Sequence, residues 1–200
     1  MIAQEANRII SSLGQREAEQ QAYYWYNRNR TDIYSPDITF LENGYIQPGK
    51  INIFKYNPKH KDVLDYWDKR PVVLCLGNIK RGNSILEMGI NLNFIPTPYK
   101  WYILDTIQKT YSGFFQRVRN VQVPTFADKQ PLIKYNYSTI RALLASYKVG
   151  FALRTYIPSR RRSNYIVNYN NWLQAGMLSI EDFEGISYSQ MIQEYRKYNN

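Results

Sequence analysis

The feature that most constrains the fold is a short and uniformly apolar run, Val72-Val73-Leu74-Cys75-Leu76, which lies between Pro71 and Gly77. An apolar run of this length, bounded by turn residues, is typical of a strand that is buried on both faces. The run therefore predicts the central strand of a sheet. Because Cys75 is the only cysteine, it cannot form an internal disulfide, and we expect a small buried core residue.

Further short segments have the residue types of β-strands, with turn residues between them. They are Ile38 to Leu41 paired through Glu42-Asn43-Gly44 with Tyr45-Ile46, then Lys50 to Tyr56, Ile85 to Phe94, Phe151 to Ile157, and Tyr165 to Val167. Gly77 to Ser84 is interpreted as a loop, and Gly89 as a kink or bulge in its strand.

Helix-capping patterns predict three helices after the first strands. Thr97 caps a helix over Tyr99 to about Lys109, and Ser138 caps one over Thr139 to about Tyr147. A Ser187-Tyr188-Ser189-Gln190 capping box begins a last helix that ends near Tyr198.

Residues 1–35 have the pattern of a helical arm. Apolar residues recur at helical spacing from Ile2 through Ile9 and Leu13 to Trp25, with Gly14 as a break. A small domain could hardly bury so long a stripe. We therefore expect an assembly arm that docks on a neighbouring subunit, and packing on its own domain is the equal alternative.

Together these patterns predict an α+β fold with a small antiparallel β-barrel-like core and added N- and C-terminal helices. The expected division is the arm (1–35), an α+β core domain (36–185) and a C-terminal helix (186–200). No apolar run approaches the roughly 20 residues that span a bilayer, so we expect no membrane partner.

The net charge of +10 is concentrated in one part of the chain. No carboxylate occurs between Asp128 and Glu181, and this stretch contains the cluster Arg160-Arg161-Arg162. Three adjacent guanidiniums indicate contact with DNA phosphates, pairing with acidic protein groups, or a solvated face. Lys80 and Arg81, in a glycine-containing segment, form a weaker candidate for phosphate contact.

The residue inventory argues against catalysis. A zinc site built from histidine and cysteine needs several such ligands, whereas this chain has one of each. His60 lies in a lysine-rich turn rather than in an evident cleft. Asp62, Asp65 and Asp68 could not all bind one metal ion from a single helix, because their side chains would point in different directions around the helix axis. We expect no enzyme activity, no cofactor and no metal.

Three segments carry a family pattern: residues 54–74 (FKYNPKHKDVLDYWDKRPVVL), 89–96 (GINLNFIP) and 152–156 (ALRTY), followed by Arg161-Arg162-Ser163 and Trp172. Together they cover about residues 50 to 185. They resemble a family of virion-associated structural proteins of tailed phages, both myophages and crAss-like phages, some of which are labelled DNA-end protectors. The pattern departs at Asp65 and Arg70, where Pro and Phe are usual, and at Asn93-Phe94, where the family has His-Tyr.

The resemblance implies a structural component of a tailed-phage virion, as a neck, tail ring or baseplate subunit, that is present in the host cytoplasm during assembly. Its partners would be other phage structural proteins and copies of itself in a symmetric ring, with double-stranded DNA facing the basic residues. The alternative is a DNA-binding protein that protects genome ends or aids packaging. The residues of the quoted segments are interpreted as fold-determining.

Overall fold

The structure is a computed structural model, and it describes residues 2–32, 35, 37–41, 46, 48–111, 135–178, 180 and 182–199. The helices in these residues are α1 (Ile2–Leu13), α2 (Gln15–Thr31), α3 (Thr97–Thr110), α4 (Tyr137–Ser146), α5 (Trp172–Met177) and α6 (Tyr188–Asn199). The strands are β1 (Ile38–Leu41), β2 (Ile51–Tyr56), β3 (Trp67–Asp68), β4 (Val72–Arg81), β5 (Ser84–Asn91), β6 (Leu153–Tyr156), β7 (Arg161–Val167) and β8 (Phe183–Glu184). Within the described part of the chain, no helix is long and apolar enough to cross a membrane.

The main sheet is antiparallel, with six strands in the order β1-β7-β2-β4-β5-β6, and β3 pairs separately with β8. The apolar run lies in β4, inside the sheet, and all five of its residues are buried, so the predicted central strand is confirmed. Gly89 of β5 lies directly against β4, because a Cβ there would come within 2.6 Å of the Leu74 carbonyl oxygen. Close approach of two strands explains this glycine, while the register shift itself lies in β4 between Cys75 and Gly77.

The sheet curls strongly but does not close. Tyr156 of β6 packs on Phe54 of β2 with ring centroids 5.2 Å apart. In a flat sheet, three strand spacings of about 4.8 Å each would separate these strands. The α+β class is confirmed. The expected barrel-like core is wrong, because the sheet of the described strands is open: β1 and β6 are its edge strands, and β6 does not pair with β7. The chain between β6 and β7 forms a 3₁₀ turn at Pro158, which has no N–H to donate to a ladder.

The N-terminal helices pack on their own domain. Ala6, Ala18, Ala22 and Tyr26 are buried in the same hydrophobic cluster as the sheet and α3. Small alanine side chains allow α1 and α2 to approach α3 and α5 closely. Of the two alternatives for the apolar stripe, the structure therefore shows intramolecular packing.

The four predicted assembly residues differ in how far they join this core. Ile2, Ile9 and Trp25 are partly buried against it, and the Trp25 indole donates to Asp37 at 3.0 Å. Leu13 is 43% exposed, next to Gly14, where the two helices meet. A role of these residues in assembly stays a prediction.

The segment predicted as a loop, Gly77 to Ser84, belongs instead to a β-hairpin. β4 continues to Arg81 and pairs with β5 up to Ser84. Gly82 begins the two-residue turn with a φ of 59°, which glycine adopts without steric cost. The polar residues that suggested a loop are the solvated end of two paired strands.

Two capping predictions have different outcomes. The capping box is confirmed, since the Ser187 N–H donates to Gln190 Oε1 at 3.0 Å and the Gln190 N–H donates to Ser187 Oγ at 3.3 Å. The predicted cap Ser138 is wrong, because Asn136 Oδ1 accepts from the Ser138 and Thr139 N–H groups. Residues 42–45 of the predicted first hairpin lie outside the described residues, and β1 pairs with β7.

Cys75 is a buried free cysteine, as expected from its position in the apolar run. Burial raises the pKa of its thiol to about 12. The thiol is therefore protonated at neutral pH and is a core residue rather than a nucleophile.

Candidate nucleic-acid interface

The turn Pro158–Arg160 joins the two sides of the curled sheet. The Asn57 N–H, just after β2, donates to the Arg160 carbonyl at 3.2 Å. The Ile157 N–H donates to the Tyr56 hydroxyl oxygen at 3.3 Å. We call this junction between β2 and the 158–160 turn the seam.

The three arginines of the cluster Arg160-Arg161-Arg162 do not share one environment, because two are exposed and one is buried. Arg161 points inward and makes a bidentate ion pair with Glu87 of β5, with Nη2 to Oε1 at 2.7 Å and Nε to the second carboxylate oxygen. These side chains are only 6% and 1% exposed. Arg161 is therefore not available to a DNA phosphate. Of the three alternatives for the cluster, this residue shows pairing with an acidic group.

Strand geometry explains the division. Successive side chains of a strand point to opposite faces, so Arg162 points outward where Arg161 points inward. Ser163 follows with a φ of 54°, near the register shift of the β2–β7 pair between Ile53 and Lys55. The sequence could not show that Glu87, 74 residues away, neutralises the middle arginine.

The outward cations collect at the seam. Arg160 and Arg162 are exposed, and Lys55 lies opposite Arg162 in the β2–β7 register. Lys59 follows two residues after Asn57 and is exposed as well. We refer to Lys55, Lys59, Arg160 and Arg162 as the seam cations, and none of them has an ion-pair partner within the described ranges.

Lys80 and Arg81 lie at the solvated end of the β4–β5 hairpin, and both are exposed. The 158–160 turn contacts β5, the second strand of this hairpin. No hydrogen bond or ion pair between described residues ties Lys80 or Arg81 to the seam cations. They form a separate basic tip on the β4–β5 hairpin, whose second strand supplies Glu87.

A cleft of about 200 Å³ opens beside the seam. All of its lining residues come from the three segments that carry the family resemblance, which were interpreted as only fold-determining. They are Tyr56, Pro58, Leu64, Tyr66, Trp67, Asp68 and Pro71 of the first segment, Asn91 and Phe94 of the second, and Arg154, Thr155 and Tyr156 of the third. The convergence of these segments is the signal from which the cleft could have been suspected.

Asp68 closes the inner end of the cleft with a buried polar network. Its carboxylate accepts hydrogen bonds from the side-chain amides of Asn91 and Asn93 and from the Arg70 N–H, each at 2.9 Å. Burial raises the pKa of Asp68 to about 6, against the hydrogen bonds, which lower it. The network holds β3 against the end of β5.

The other carboxylates of the predicted aspartate series do not join Asp68. Asp62 and Asp65 are exposed. The Lys69 ammonium pairs with the carboxylates of Asp182 and Glu184, with N–O distances of 3.4 and 3.0 Å. In the described residues, no group of histidine, cysteine or carboxylate side chains could hold a metal ion. His60 is exposed and does not line the cleft.

Two polar side chains of β6 face the cleft with unused hydrogen-bonding capacity. The Arg154 guanidinium lies over the Phe94 ring, 4.4 Å from its centroid, and its buried Nε has no hydrogen-bond partner among the described residues. The Tyr156 hydroxyl lies beside Asn91 but makes no hydrogen bond of standard geometry with any described group. Burial raises the pKa of Tyr156, so this hydroxyl is neutral.

Comparison with known proteins adds one match. The sequence profile of the family described as phage T4 terminal DNA protecting protein matches residues 15–195. This range contains the seam, the cleft and the hairpin tip, and it leaves out the whole of α1. No curated protein and no solved structure matches the chain significantly.

Proposed function

The chain belongs to the family of the phage T4 terminal DNA protecting protein, and on this premise we propose that it binds the ends of phage DNA and shields them from nucleases. The observation that carries the proposal is the family match over residues 15–195, which makes this a bacteriophage protein and contains every seam cation. In this proposal the protein acts by occupying the DNA end, with no catalytic step. The match supports end protection more directly than a packing role in a neck, tail or baseplate ring.

The charge distribution supports contact with the DNA backbone. The seam cations are exposed and have no carboxylate partner in the described part of the chain. A DNA phosphate that contacts them would displace water and counterions, and no ion pair between described residues would have to break. Contacts of this kind position a protein on DNA without reading the sequence. Backbone contacts of this kind would let the protein hold a DNA end without regard to the sequence beside it.

Arg161 contributes indirectly. Its ion pair with Glu87 joins β7 to β5 across the curled sheet and fixes the strand from which Arg162 projects. A buried bidentate pair has a defined geometry, because both partners are planar groups. We propose that Arg160 and Arg162 contact phosphates, while Arg161 holds their strand in place.

The test measures both binding and protection with the full-length protein. Linear duplex DNA is digested by an end-specific exonuclease, with and without the protein, beside the same duplex closed by hairpins at both ends. We expect protection of the open ends and tighter binding to the open duplex. The variant R160Q/R162Q should weaken binding and reduce the slope of log affinity against log salt concentration by about 2, roughly one for each phosphate contact removed.

The matched control is R16Q/R28Q, which removes the same charge from two exposed positions of α2. We expect this control to bind almost as the unmodified protein does. If the open and the closed duplex bind equally, or if the exonuclease digests the linear DNA at its usual rate, end protection is wrong. Equal weakening by both double variants would show that net charge matters and the seam does not.

A further inference from the structure

The inference rests on the proposed end binding and concerns what the cleft holds. We propose that the cleft beside the seam receives a single nucleobase, unpaired at the terminus of the DNA. Its occupant would be a base that has left the duplex stack, as in other proteins that accommodate bases in pockets. The protein would then distinguish a DNA end from internal duplex by a feature that only the end offers.

The size and walls of the cleft suit one planar ring system. Its volume of about 200 Å³ is smaller than the roughly 300–1,000 Å³ of sites that hold drug-sized ligands. Five lining side chains are aromatic: Tyr56, Tyr66, Trp67, Phe94 and Tyr156. Stacking of bases on aromatic rings tolerates any sequence, because every base has a π-face.

Arg154 and Tyr156 give the cleft hydrogen-bond donors that could bind an acceptor on a ligand. Arg154 is held by Phe94 in one orientation, and its buried Nε is unpartnered within the described residues. The Asp68 oxygens are already used by Asn91, Asn93 and the Arg70 N–H. Base edges present ring nitrogens and carbonyl oxygens, and a planar guanidinium matches them with two parallel donors.

The seam cations lie beside the cleft in sequence and in space. Lys59 follows Pro58, which lines the cleft, and the Arg160 carbonyl is bound to Asn57. Phosphates held by these cations would therefore bring the last nucleotide to the cleft. Leu64, which lines the cleft, is 43% exposed, and its sequence neighbour Val63 is 79% exposed. They would meet the flat face of the terminal base pair, which internal duplex does not present.

The experiment compares three DNAs with the full-length protein. The first is a duplex with a one-nucleotide 3′ overhang, the second has an abasic site in place of the overhanging base, and the third is closed by hairpins. We expect the overhang with a base to bind about 5- to 150-fold more tightly than the abasic overhang, which is the range that base stacking on aromatic side chains supplies.

Two variants assign this difference to the cleft. Tyr66→Leu removes an aromatic wall of the cleft but keeps an apolar side chain there, and Arg154→Met removes the donors but keeps a side chain over Phe94. Both should abolish or strongly reduce the preference for the overhanging base and leave binding to the abasic overhang unchanged. The control Arg141→Met removes a guanidinium that lies over the Tyr137 ring at an exposed position of α4, and it should retain the preference.

The outcomes separate the two proposals. If base and abasic overhangs bind equally but both bind more tightly than the closed duplex, the cleft inference is overturned and end binding stands. If Arg154→Met and Tyr66→Leu both keep the full preference, the base lies elsewhere and the inference is again overturned. If all three DNAs bind equally, end binding fails and the inference fails with it.

Discussion

The two faces of the main sheet are built from different chemistry. The face toward the helices is aliphatic, with Ile51, Leu74 and Ile90 in one large cluster with the helices. The inner face of the curl holds a small cluster around Phe54 and Tyr156, together with the buried Glu87–Arg161 pair and the cleft. Alternation along each strand separates the two sets.

The two faces contribute differently to the stability of the fold and to the geometry of the inner face. Aliphatic burial is non-directional and provides most of the folding free energy. A buried ion pair adds little net stability, because its desolvation offsets its attraction, yet it fixes two strands in a defined geometry. The helical face therefore holds the fold together, and the inner face holds side chains in the positions that the proposed DNA binding uses.

The largest expected effect comes from the helical face. Trp172 of α5 is fully buried, so Trp172→Ala should lower the free energy of unfolding by about 3–5 kcal/mol. Tyr24→Ala, at a 63% exposed position of α2, is the control and should change it by less than about 0.5 kcal/mol. Chemical denaturation measures both. A loss below about 1 kcal/mol for Trp172→Ala would mean that the helical face is not the main source of stability.

A smaller effect is expected when the ion pair of the inner face is broken. Glu87→Gln leaves the Arg161 charge buried without its carboxylate and should cost about 3 kcal/mol. The double variant E87Q/R161M removes both charges and should recover at least half of that loss. Denaturation of the single and double variants tests this. If the double variant is no more stable than E87Q, the cost does not come from an unpaired buried charge.

The smallest effect is a pH dependence at the inner end of the cleft. The pKa of Asp68 in the folded protein is about 6, above its ordinary value of 3.8, because the buried carboxylate is desolvated. Folding therefore favours the protonated form. This contribution is fully present well below pH 4 and is lost as pH rises through about 6. Between pH 4 and pH 7 the free energy of unfolding should therefore decrease by about 2 kcal/mol.

Asp68→Asn removes the titrating group and serves as the comparison. This variant should be less stable overall, since an amide nitrogen would replace one acceptor of the Asn91, Asn93 and Arg70 donors. The difference in stability between the unmodified protein and the variant should shrink as pH rises from 4 to 7. A difference that is constant over this range would contradict the assignment of the raised pKa to Asp68.

Local patterns in the sequence predicted the local structure well. The apolar run of β4, the capping box at Ser187 and the buried Cys75 each depend on neighbouring residues, which the sequence displays directly. One local prediction failed, since Asn136 and not Ser138 caps α4. The larger failures occurred where the deciding partner is distant. The hairpin at Gly77 to Ser84 needed the pairing of β4 with β5 before its polar residues could be recognised as strand residues.

The sequence by itself determined the composition of the site: a basic stretch, three segments with a family pattern, and a shortage of catalytic side chains. Only the tertiary structure decided that these segments line one cleft and that Glu87 removes Arg161 from the exposed cluster. The physical reason is that burial and charge pairing depend on distances through space. The curl of the sheet brings β5 against β7 and β6 against β2, and no pattern of neighbouring residues encodes such contacts.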